Sequence, residues 1–163
     1  THIMFLGAGG AAKSIVTQAV LDGAKKVSIY VRPQSLVKAK ENFRTLLDQT
    51  DCYLEFHDLT DADHFQKELR QTDLLVNATS VGMDGESLPI SIDTRFPKEL
   101  LVADIIYQPF ETPFLALARK QEIEAVNGLG MLLYQAAGAF KLWTGENMPT
   151  GAIWQELENI YNS

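Results

Sequence analysis

The chain opens on a short apolar run, His2-Ile3-Met4-Phe5-Leu6, which stops at Gly7-Ala8-Gly9-Gly10-Ala11-Ala12 and passes at once into a helical pattern. Few local sequences restrict a fold as tightly. Read as GxGxxG/A, the turn places Gly7, Gly9 and Ala12 at its three small positions, between a strand and a helix. Gly7 permits a sharp turn, Gly9 lets a ligand's pyrophosphate approach the backbone, and Ala12 lets the helix pack close to the strand. The helix start then offers unpaired N–H groups and the positive end of its dipole to phosphates. A Walker A loop is excluded, because no Gly-Lys-Ser/Thr is present.

Downstream, short apolar runs alternate with helical patterns. Strands are expected at 27–31, 53–56, 73–77, 100–104 and 124–126, the second of these half polar. Helices are expected over 10–21, 35–47, 61–69, 112–121, 128–143 and 151–161. Asp61 suits an N-cap, and Pro113 suits a first helical turn. Repeated strand-helix-strand units imply an α/β domain: a three-layer, doubly wound parallel sheet with helices on both faces, the Rossmann fold. The stretch 82–98 carries neither period. It is long for a loop, and is expected to carry function or a short helical turn. With 163 residues, the chain suits one such domain, 1–163.

Charge and cysteine content narrow the partners. A net charge of −7 and a pI near 4.9 argue against nucleic acid and against an anionic membrane surface. Cys52 is the single cysteine, so no internal disulfide can form, and a reducing, cytoplasmic setting is expected. His2, His57 and His64 show no metal-ligand spacing, so no metal is expected. No apolar stretch approaches the ~20 residues needed to span a bilayer.

The residue after the second strand separates the dinucleotides. Enzymes using NAD place Asp or Glu there, to accept from the ribose 2′-OH. Here the strand ends at Val31 and Arg32 follows. A guanidinium suits the 2′-phosphate of NADP, and Lys38 and Lys40 could add charge. Pro33 removes one backbone donor beside it and leaves room for NAD.

Three further segments complete a pattern: Asn77-Ala78-Thr79-Ser80-Val81-Gly82-Met83; Asp104-Ile105-Ile106-Tyr107-Gln108-Pro109 with Thr112-Pro113-Phe114-Leu115; and Asn127-Gly128-Leu129-Gly130-Met131-Leu132-Leu133-Tyr134-Gln135. With the glycine turn, they resemble the shikimate dehydrogenase family, including its quinate/shikimate branch. The resemblance covers essentially the whole chain. It implies a cofactor site of Gly7, Ala8, Gly9, Gly10, Ala11, Arg32, Asn77, Thr79, Ser80, Ile105, Tyr107 and Gly128. It implies that Tyr107 and Gln135 face the substrate ring. A phenol and an amide suit a polyol bearing a carboxylate. From the residues alone, Asn77 and Thr79 could equally close a turn, and Gln135 could be a solvated helix residue.

The implied reaction is NADP-dependent interconversion of 3-dehydroshikimate and shikimate, on the route to aromatic amino acids. The partner is then a small molecule, shikimate or 3-dehydroshikimate or else quinate, and a homodimer is compatible. The family's Lys/Asp catalytic pair lies in a substrate domain ahead of the glycine turn. The expectation is therefore that this chain carries no catalytic residue, holds cofactor, and alone turns over little or no substrate. The last helix, in 150–163, would pack on this domain or dock on the other. A quinate/shikimate dehydrogenase using NAD or NADP, and a non-catalytic nucleotide-sensing module, are the competing readings.

Overall fold

The computed structural model describes residues 1–162. Strands β1 (His2–Leu6), β2 (Lys26–Val31), β3 (Tyr53–Asp58), β4 (Leu74–Asn77), β5 (Leu101–Asp104) and β6 (Ala125–Val126) form one sheet. Its order is β3-β2-β1-β4-β5-β6, with every neighbouring pair parallel. The order reverses between β1 and β4, the switch point at which open α/β sheets bind ligands.

Helices α1 (Gly10–Leu21), α2 (Leu36–Asn42), α3 (Arg44–Leu47), α4 (Ala62–Leu69), α5 (Pro113–Lys120), α6 (Leu129–Thr144) and α7 (Thr150–Asn162) connect and cover the strands. Strand side chains alternate between faces, so β1 feeds two cores. Ile3 and Phe5 pack with Ala12 and Val16 of α1 and with Ala39 of α2. Met4 and Leu6 pack with Phe65 and Leu69 of α4 and with Phe114 and Leu115 of α5. Burial on both faces explains why these strands read as nearly continuous apolar runs.

Two expectations are corrected. The helix expected over 35–47 is a 3-10 turn at Pro33–Ser35, then α2, then α3, interrupted at Phe43. The Phe43 ring is fully buried against Phe56, 5.6 Å between centroids, and its backbone leaves helical geometry at φ −102°. Strand β3 runs on to Asp58, because its polar residues Glu55 and His57 face a polar cluster under α4 and not solvent. The segment 82–98 forms turns and no helix. Gln66 and Gln121 stand in for a missing strand partner there: Gln66 accepts from Arg95 N at 2.9 Å and donates to its carbonyl at 2.7 Å. Gln121 does the same with Phe96 N at 3.1 Å and Thr94 O at 2.9 Å.

The last helix packs on this domain. Tyr161 stacks on Phe110 at 5.0 Å, and Trp154 lies over Gly130 of α6. Leu142 and Trp143 at the end of α6 stay 86% and 84% exposed, an apolar face without cover. No described helix is long and apolar enough to cross a membrane.

A candidate nucleotide site at the switch point

The loop after β1 is shaped by one glycine. Gly7 sits at φ +96°, a conformation side chains rarely adopt, and a Cβ there would lie 2.6 Å from Thr79 Cγ2. Its N–H donates to the Tyr30 carbonyl at 2.8 Å, which ties the loop to β2. The chain next to it then turns into α1. Gly9 is the N-cap and offers no side chain to cap the helix, and the first turn holds no acidic residue. The first intrahelical bond is Lys13 N to Gly9 O at 2.9 Å. The N–H groups of Gly10, Ala11 and Ala12 therefore face outward with no carbonyl below them. The contrast with α4 and α5 is informative: Asp61 and Thr112 close those helix starts with side-chain bonds to His64 N and Leu115 N.

In front of the open helix end lies a groove of about 970 Å³. Gly7, Ala8, Gly9 and Gly10 form one wall, and Ala78, Thr79 and Ser80 from the turn after β4 face them. Arg32 and Lys38, with Ser35 and Asn42, line the end beyond β2. Arg32 has no carboxylate within 4 Å among the described residues, so its charge is available to a ligand. Lys40 does not reach the groove. Leu59, Leu88 and Pro89 close the far side, and sequence reasoning missed them. Leu88-Pro89-Ile90, the longest apolar run inside the irregular stretch, was the available signal.

Asn77 lies beneath the groove and not on it. It is fully buried, next to its register partner Asp104. Its amide donates to Asp104 Oδ1 and to the Val81 carbonyl, both at 3.1 Å. Its Oδ1 accepts from Thr79 Oγ1 at 2.7 Å and from Thr79 N at 3.2 Å. Asn77 thus builds the turn that presents Thr79 and Ser80. Asp104 also accepts from Ile106 N at 3.0 Å and Thr112 Oγ1 at 2.7 Å. Burial pushes the Asp104 carboxyl up from its ordinary pKa, against those hydrogen bonds.

Ile105, Tyr107 and Gly128 form a second group, off the groove, at the ends of β5 and β6. Gly128 donates to Ile106 O at 2.9 Å, and a Cβ on it would overlap the Ile105 carbonyl oxygen at 1.9 Å. Tyr107 is 40% exposed beside them, and Gln135 is exposed further along α6.

This geometry defines the class: a Rossmann domain with a glycine-rich loop at an uncapped helix start and a cationic rim at the end of β2. Residues 128–158 match the model of the shikimate 5'-dehydrogenase C-terminal domain. The chain is 99% identical, over all its 163 residues, to a shikimate dehydrogenase (NADP(+)) of Streptococcus thermophilus, of which it covers 57%. A shikimate 5-dehydrogenase from Listeria monocytogenes, solved with shikimate and NAD, superposes with a TM-score of 0.86 at 38% identity, over 96% of this chain and 55% of that one. One from Thermus thermophilus, solved with NADP(H) and shikimate, gives 0.72 at 32% identity, over 91% and 51%. The chain belongs to the shikimate dehydrogenase family. It spans a little over half the length of the relatives it matches.

Proposed function

We propose that this chain holds NADP in the groove at the switch point and is the cofactor-binding part of an NADP-dependent shikimate dehydrogenase, interconverting 3-dehydroshikimate and shikimate. One observation carries the reading. An uncapped helix start and a side-chain-free loop lie across one groove from an unpaired guanidinium. The three fit a dinucleotide with an extra phosphate. A Cβ on Gly9 or Gly10 would meet nothing within 4 Å, so the space above them is open to a ligand.

Ala8 to Ala11 offer backbone N–H groups to the pyrophosphate. Arg32, with Lys38 behind it, meets the 2′-phosphate through charge-assisted bonds. Leu59, Leu88 and Pro89 give the adenine an apolar slot. Ser80 lines the path toward Ile105 and Gly128, which flank the nicotinamide. Tyr107 and Gln135, both exposed, orient the substrate's hydroxyl and carboxylate groups. The cofactor, when bound, supplies the hydride chemistry. In a protein of its relatives' length, the remaining residues supply the proton-handling pair and cover the exposed end of α6 and part of α7.

The test is calorimetric titration of the chain with NADP and NAD in parallel, repeated with Arg32→Ala. NADP is expected to bind more tightly, and the variant to lose about 10–100-fold for NADP alone, as one charge-assisted bond would give. Unchanged NADP affinity in the variant refutes the assignment of Arg32.

A further inference from the structure

Behind Tyr30, on the α4 face of the sheet, lies a cluster whose histidines and carboxylates do not line the groove. Register and alternation put Lys26, Ser28 and Tyr30 of β2 beside Tyr53, Glu55 and His57 of β3, on one face. Helix α4 lays His64 and Glu68, one turn apart, onto the same spot. His57 and His64 approach to 4.5 Å between ring centroids. One ligand atom each from His57, His64 and Glu68 lie within 4.8 Å of one another. Linear spacing showed none of this, because the histidines come from different elements.

The His57 Nε2 atom is buried and has no hydrogen-bond partner. It faces Glu55 Oε2 at 3.7 Å and Glu68 Oε2 at 3.8 Å, too far to bond either. Buried polar atoms without partners are rare in native proteins and call for a reason. We propose that His57, His64 and Glu68 form a site for a divalent transition-metal ion of the zinc or cobalt kind. Two imidazoles and one carboxylate are a donor set for such ions, and not for magnesium or calcium.

The surroundings support the assignment. Glu55 and Glu68 bring two negative charges and Lys26 one positive, so the spot carries a net negative charge to meet a dication. The Tyr30 hydroxyl donates to Glu68 Oε2, so His64 Nδ1, 2.9 Å away, must be the donor to the Tyr30 oxygen. That fixes the His64 ring and leaves its other nitrogen with a free lone pair, as a ligating histidine requires. Metal–nitrogen distances of about 2.1 Å need the donor atoms roughly 1 Å closer together, within reach of side-chain rotation. Bound there, the ion would clamp α4 to the edge strand β3.

The probe is Co²⁺ alone, titrated into the chain after chelation and dialysis, read by visible d–d absorption and by melting temperature. Saturable one-to-one binding at micromolar concentration is expected, with a rise in melting temperature. His64→Ala, at an exposed position, and His57→Gln are each expected to weaken binding at least tenfold and to abolish the thermal shift. Circular dichroism of each variant confirms that it is folded. Absence of saturable binding, or unchanged affinity in both folded variants, overturns the proposal.

Discussion

Gly9→Ala separates what the glycine loop does for the fold from what it does for a ligand. Gly9 lies at φ −76° and ψ −172°, which any residue adopts, and an added methyl meets no atom within 4 Å. Replacing glycine with alanine at an unstrained position stabilises by about 0.4–1 kcal/mol through the unfolded chain. Alanine is a poorer N-cap than glycine, and costs a few tenths of a kcal/mol or more. The two nearly cancel, so the melting temperature should move by no more than about 2 °C. The nucleotide sees a different change. The methyl stands in the groove in front of the Gly10 and Ala11 N–H groups and holds a phosphate away from them. Loss of one or two charge-assisted hydrogen bonds, about 3 kcal/mol together, weakens NADP binding about 100-fold. Calorimetry and thermal melts on the same sample read both quantities. Unchanged affinity in a folded variant would refute the placement of the pyrophosphate at Gly9. A collapse in stability would show the residue to be structural.

Gly128→Ala should behave in the opposite way: its φ of −77° is unstrained, but the methyl overlaps the Ile105 carbonyl oxygen at 1.9 Å, so backbone must move, at about 2–4 kcal/mol in urea unfolding. Thr112→Val removes both the cap on Leu115 N and the bond to Asp104, and should cost about 1–3 kcal/mol, read as a lower urea midpoint at constant slope. Glu68 sets the acid limit of the α4 face. Burial pushes its pKa up, but hydrogen bonds from His2, Lys26, Ser28 and Tyr30 outweigh it and hold the carboxyl well below the ordinary range. A depressed carboxylate stabilises fully above the unfolded pKa of about 4.3, and loses that contribution as pH falls toward its folded value. Stability measured by chemical denaturation should therefore fall below about pH 5, with a shallower fall in Glu68→Gln.

The helical and apolar periods show in the sequence where burial alone decides them. β1, α1, β4 and α5 match expectation because each presents its apolar residues at one clear period. Reading failed where a tertiary partner decides. Phe43 looks like one more apolar residue of a helix, yet its buried ring breaks that helix. Glu55 makes β3 look weak, since nothing local reveals that Lys26 on the neighbouring strand and Glu68 on α4 wait on the same face. The glutamines that pin 82–98 lie on α4 and directly after α5, far away in sequence. At the site, Gly7, Gly9 and Arg32 were legible because backbone demands and strand-end position fix them. Leu59 and Leu88 were not, since only folding carries them to the groove.

Asp104 raises the question of why a buried carboxylate stands where burial opposes its charge. Its three acceptor contacts come from three segments. Asn77 holds the turn that carries Thr79 and Ser80, Ile106 N belongs to the strand end leading to Tyr107, and Thr112 starts α5. An apolar residue of the same size would avoid the cost of burying the charge but would leave the Asn77 amide and the Thr112 hydroxyl without their acceptor. The turn after β4 and the end of β5 would then be joined only by strand pairing, which stops at Asn77 and Asp104. The carboxylate extends that joint past the last ladder pair. It thereby fixes the groove wall at Thr79 relative to Ile105 and Gly128, which a ligand spanning both groups requires.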